Sequence, residues 1–73
     1  MKITIESTGR IVNLEGIDCR LWEGTTERGV KIECLIPRVA ARDDQDLSQF
    51  EAELKEQRAP SFRESAFPLR MLL

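Results

Sequence analysis

The sequence predicts an α+β fold: a small antiparallel sheet of four to five short strands with one amphipathic helix packed on one face. Three observations predict it. Two runs with period-two alternation flank a glycine-bounded polar cluster between Ile17 and Ile36. An apolar stripe at spacings of three and four follows an acidic capping signal at Asp46. The chain has 73 residues, enough for one domain over 1–73 with a thin core.

The elements follow in order. Residues 2–6, Lys2-Ile3-Thr4-Ile5-Glu6, alternate polar and β-branched side chains and read as a strand with Ile3 and Ile5 inward. Ser7-Thr8-Gly9-Arg10 supplies a turn, and residues 10–14 a second short strand that Glu15-Gly16 punctuates. Residues 17–23 and 30–36 read as a β-hairpin around the Gly24–Gly29 turn cluster. One register sets Ile17 opposite Ile36, Cys19 opposite Cys34 and Leu21 opposite Ile32 on the core face. The other face then pairs Arg20 with Glu33 and Trp22 with Lys31, and opposite charges across a ladder contribute about 0.2–1 kcal/mol. Pro37 cannot donate to a ladder, so the strand ends, bulges or lies on an edge there.

Asp46 with Gln49 has capping-box spacing, with Asp43 and Asp44 as rival caps. Leu47, Phe50 and Leu54 form the apolar stripe of a helix over about 47–58, which Pro60 terminates. Phe67, Leu69, Met71 and Leu73 recur at period two, which reads as a C-terminal strand over about 67–72. Pro68 puts that strand on an edge.

Composition excludes more than it identifies. The formal net charge is −2, which argues against direct nucleic-acid binding. The acidic excess lies in residues 43–73, along the helix, where helix electrostatics accounts for it as well as an acidic docking surface does. No apolar stretch approaches a membrane span and the N-terminus does not read as a signal peptide, so the expected location is cytoplasmic. With no histidine, the commonest general base and metal ligand is missing, as are Ser–His–Asp and Cys–His constellations. The four glycines make no phosphate-cradling loop. Asp43, Asp44 and Asp46 lack the glycine and glutamate positions of a calcium loop. No enzyme activity, cofactor or metal is expected. Cys19 and Cys34 lie fifteen residues apart without a C-x-x-C, and are expected as buried free thiols. Their proposed cross-strand pairing leaves a disulfide open if the Cβ atoms approach within about 4 Å.

What remains is a binding surface. Trp22 is the sole tryptophan, and the alternation puts it outside the principal core beside Arg20, Lys31 and Glu33. Buried Trp and Arg side chains dominate interface hot spots, so these four are the first candidate contacts. The same Trp22, Arg20 and Lys31 could stack on and neutralise a nucleotide. Trp22 could equally pack under the tail strand or shield the hairpin by stacking on Lys31. The acidic helix face, with Glu53 and Glu56, is the second candidate. The edge of the C-terminal strand needs covering, and homodimerisation is a common solution.

Four stretches carry a resemblance: Met1-Lys2-Ile3-Thr4-Ile5-Glu6-Ser7-Thr8, Arg20-Leu21-Trp22-Glu23-Gly24-Thr25-Thr26, Phe50-Glu51-Ala52-Glu53-Leu54 and Pro68-Leu69-Arg70-Met71-Leu72. The chain resembles short accessory proteins encoded by tailed bacteriophages and prophages. That resemblance implies a non-enzymatic protein that binds and inhibits a host protein, such as a CRISPR or other defence component, in the manner of anti-CRISPR proteins. It also implies two alternatives: an oligomeric sponge for a small nucleotide signal, and a phage structural or regulatory accessory protein. It assigns no site residue.

Overall fold

The computed structural model describes residues 1–61. The C-terminal strand expected over 67–72 lies outside the described residues. Within them, three strands form one antiparallel sheet in the order β1-β2-β3. They are β1 (Ile3–Leu14), β2 (Ile17–Thr26) and β3 (Lys31–Ile36), followed by the helix α1 (Leu47–Leu54). The fold class is α+β, with three described strands where four to five were expected.

The first correction is at Ser7–Arg10. The predicted turn there is a bulge within one continuous strand. Ser7 stands opposite Trp22 and Ile11 opposite Arg20, so Thr8, Gly9 and Arg10 all face Leu21. The bulge persists because its displaced polar groups find partners. Thr8 is fully buried, and its hydroxyl donates to the Leu21 carbonyl at 2.8 Å. Arg10 N donates back to that hydroxyl at 3.3 Å, and Arg20 Nη1 donates to the Thr8 carbonyl at 2.9 Å. On the outer edge, Gly9 N donates to the Arg58 carbonyl at 3.0 Å and Arg58 N to the Ser7 carbonyl at 3.3 Å.

The β1–β2 connection is the expected Glu15-Gly16 punctuation. Both residues have positive φ, 52° and 86°, as a two-residue type I′ turn requires. Asn13 braces it, accepting from Gly16 N at 3.1 Å and donating to Asp18 at 3.0 Å.

The second correction is the β2–β3 register. Thr26 N donates to the Val30 carbonyl and Gly29 N to the Thr26 carbonyl, each at 3.0 Å, and Gly29 has φ 83°. The reversal is therefore a three-residue loop, Glu27-Arg28-Gly29, closed by a left-handed glycine. Gly24, Thr25 and Thr26 belong to the strand. Gly24 is needed for close approach and not for a turn: a Cβ there would collide with the Thr4 carbonyl oxygen and lie 2.7 Å from Ile5 Cα. Moving the turn shifts the pairing by three residues. Trp22 now faces Cys34, Leu21 faces Leu35 and Glu23 faces Glu33. An odd shift flips one strand's faces relative to its neighbour.

The sheet thus has two part-apolar faces. One carries Val12, Cys19, Leu21 and Leu35 with Glu23 and Glu33; Leu21 is 1% exposed and Cys19 3%. The other carries Ile5, Trp22, Ile32, Cys34 and Ile36. The helix lies over the second face, where Phe50, Glu53 and Leu54 share a cleft with Trp22 and Ile36. The expectation placed Trp22 on the uncovered face; Trp22 does lie opposite the Cys19–Leu21 face, but α1 sits on its side, where the altered register gathers Ile32, Cys34 and Ile36 beside it. Cys34 is half-buried and Cys19 buried, both free thiols. They occupy opposite faces, and Cys34 is in register with Trp22, three residues along from Cys19. That separation is about 10 Å along the strand, too far for a disulfide.

The helix starts where expected. Asp46 Oδ1 accepts from Ser48 N at 3.1 Å, Gln49 N at 3.2 Å and Ser48 Oγ at 2.6 Å. The Ser48 hydroxyl, with the Gln49 and Ser48 amides, holds the Asp46 carboxyl below its ordinary range against a small effect of burial. The helix ends four residues before the expected Arg58. Lys55 N and Glu56 N close the last turn onto Ala52 and Glu53, and the chain then leaves to pair with β1. Backbone that would have continued the helix is used at the bulge instead.

Candidate functional site

The site is the space between α1 and the Trp22 face. No helix residue is buried, and no Cα of α1 comes within 8 Å of a strand Cα. An open cleft of about 420 Å³ results. Trp22 and Arg20 from β2, Ile11 from β1, Val39 from the β3–α1 loop and Phe50 and Leu54 from α1 shape it. Ile11, Val39 and Leu54 are all exposed apolar side chains, at 51%, 44% and 41%. Asp18, Arg20, Arg38 and Glu53 add both signs of charge. Among the described residues, neither Arg20 nor Arg38 forms a salt bridge. Trp22 Nε1 is buried and has no acceptor among the described residues. A second open cleft, about 490 Å³, lies toward the helix C-terminus and shares Trp22 and Glu53 with the first.

Of the sequence-derived candidates, Arg20, Trp22 and Glu53 come together in the first cleft. Glu56 joins Trp22 and Glu53 in the second. Lys31 and Glu33 do not join them. In the observed register Lys31 pairs with Thr25 and Glu33 with Glu23, on the other face. The patch Arg20-Trp22-Lys31-Glu33 is therefore divided by the sheet. Sequence reasoning missed Ile11, Arg38 and Val39. Ile11 reads only as part of a short strand with no face assigned, and loop residues carry no periodicity that would place them.

Behind the site, a clamp joins the end of the helix to the sheet. Glu23 is 6% exposed on the face away from α1. It accepts from Arg58 Nη1 at 2.6 Å and from Ser61 N and Oγ, each at 3.0 Å. Burial pushes the Glu23 carboxyl up, but the Arg58 hydrogen bond, both Ser61 bonds and the Arg58 charge together hold it below its usual value. Glu33 goes the other way: burial and the Glu23 charge raise it, and Arg10 only partly offsets them. Neither face gathers three Asp, Glu or Cys side chains in a group that would hold a metal, among the described residues. No helix among them is long and apolar enough to cross a membrane. No family model matches the chain, and neither a curated protein nor a solved structure matches it.

Proposed function

We propose that this chain is a non-enzymatic interaction protein that binds a host protein through the α1–Trp22 cleft and inhibits it by occlusion. The observation that carries this reading is the exposed apolar trio Ile11, Val39 and Leu54 gathered around one cleft with charged residues beside it. An apolar centre with a polar rim is the anatomy of a protein interface. Trp22 and Arg20 in its floor are the residue types that dominate hot spots. The non-enzymatic part rests on side-chain chemistry: the chain has no histidine, and neither thiol lines the clefts. The phage resemblance supplies the class of partner, a defence component such as a CRISPR effector, within the host cytoplasm.

The test is affinity capture from host lysate with the wild type and with Ile11→Asp/Leu54→Asp. These side chains are exposed, so the double variant is expected to fold. A host protein retained by the wild type and weakened at least tenfold by the variant, with loss of that protein's activity on binding, supports the reading. Equal capture by both removes the cleft from it. Retention of a small nucleotide with no protein replaces it with the sponge reading, and native mass then reports whether an oligomer holds the ligand.

A further inference from the structure

The helix α1 has little to hold it down. It buries none of its residues, stands off from the strands, and has open space on two sides of Trp22. What ties it to the sheet is the strap that follows it. Ser7 Oγ donates to the Glu56 carbonyl at 2.7 Å. Arg58 pairs with both Ser7 and Gly9 in the bulge. The strap then passes over the β1 edge, and Arg58 and Ser61 close on Glu23, on the opposite face of the sheet.

We infer that α1 is a displaceable lid over Trp22, latched by the Arg58–Glu23–Ser61 clamp on the far face. The clamp concentrates its hold in one nearly buried carboxylate, whereas the lid makes only half-buried contacts. Elements with few buried apolar contacts open at a lower free energy than the core that carries them. The lid can therefore swing while β2 and β3 stay paired. When it opens, the cleft widens and Trp22, whose Nε1 has no acceptor among the described residues, is uncovered. This deepens the reading above by giving its docking face a gate. Its tests use no partner, so gate and docking can fail separately.

Native-state hydrogen exchange on the wild type is the first test. Amides of Phe50–Leu54 are expected to exchange through an opening that leaves the β2 amides protected. Exchange of the two groups at one common rate overturns the lid. The second test uses Trp22 as its own reporter, through acrylamide quenching in Arg58→Gln and Glu23→Gln. Losing a charged hydrogen bond is expected to raise α1 exchange about tenfold or more and increase quenching, while the β2 amides stay better protected than those of α1. Unchanged quenching and unchanged α1 exchange overturn the latch. Accelerated β2 exchange with unchanged α1 exchange also overturns it, since the clamp would then support the sheet and not the lid.

Discussion

Glu6, Glu23 and Glu33 stand in register on three adjacent strands, a row of carboxylates across one face. Like charges directly opposite one another destabilise a ladder, so the row needs cations. Arg58 supplies the main one, 2.6 Å from Glu23 and 4.0 Å from Glu6. Glu33 has less help, with a buried Oε2 that lacks a hydrogen-bond donor among the described residues. The two central carboxyls therefore titrate in opposite senses about the ordinary value of 4.5. Glu23 is lowered, so its stabilisation is present above pH 4.5 and is lost as pH falls through its folded value. Glu33 is raised, so its contribution is full below pH 4.5 and is lost as pH rises through its folded value. Two opposite results follow in denaturant melts. Glu23→Gln costs about 1.5–3 kcal/mol at neutral pH and much less well below pH 4, where the wild-type carboxyl is itself protonated. Glu33→Gln stabilises at neutral pH and is nearly silent in acid. Equal effects of either substitution at both pH values would contradict this account of the row.

At the level of elements, the β1–β2 turn holds Glu15 at φ 52°, a conformation that disfavours most L-residues. Asn is the preferred first residue of a type I′ turn. Glu15→Asn is expected to gain about 0.5–1 kcal/mol, seen as a rise of about 2–8 °C in the melting midpoint. A lower midpoint would mean that Glu15 makes a contact the turn geometry does not reveal. This turn was legible in the sequence because Glu15-Gly16 sits between two alternating runs. The Asp46 cap was legible for a similar reason, since a carboxylate two and three residues before free amides is local chemistry. The β2–β3 register was not. Alternation gives a strand's period but not its phase against a neighbour. Gly24 and Gly29 both invited the turn, and only a left-handed Gly29 three residues after Thr26 distinguishes the true loop. The bulge was hidden too, because the partners of Ser7 and Gly9 lie about 50 residues away at Arg58. Nothing local to Glu23 marks it as buried, since its partners Arg58 and Ser61 lie 35 and 38 residues away. The candidate site inherited these errors: the trio Arg20, Trp22 and Glu53 survives, and Lys31 and Glu33 fall to the other face.

Across the whole molecule, the two faces of the sheet are protected unequally, and the two cysteines report on one face each. Cys19 shares its face with Leu21 and is almost fully buried. Cys34 is half-buried on the face where the helix stands away from the strands. If the Trp22 face is the more open one, its thiol must react first. Thiol labelling of the folded protein is expected to modify Cys34 at least about tenfold faster than Cys19, whose labelling waits on global unfolding. The single variants Cys19→Ser and Cys34→Ser assign the two phases. Substoichiometric denaturant separates them further: the Cys19 rate should track the unfolding equilibrium, whereas the Cys34 rate should depend on it weakly. A common rate for both thiols would mean that the sheet opens as one unit and that neither face is preferentially available. Protection of Cys34 with rapid labelling of Cys19 would assign docking to the opposite face, where Glu23 and Glu33 would be the residues a partner meets.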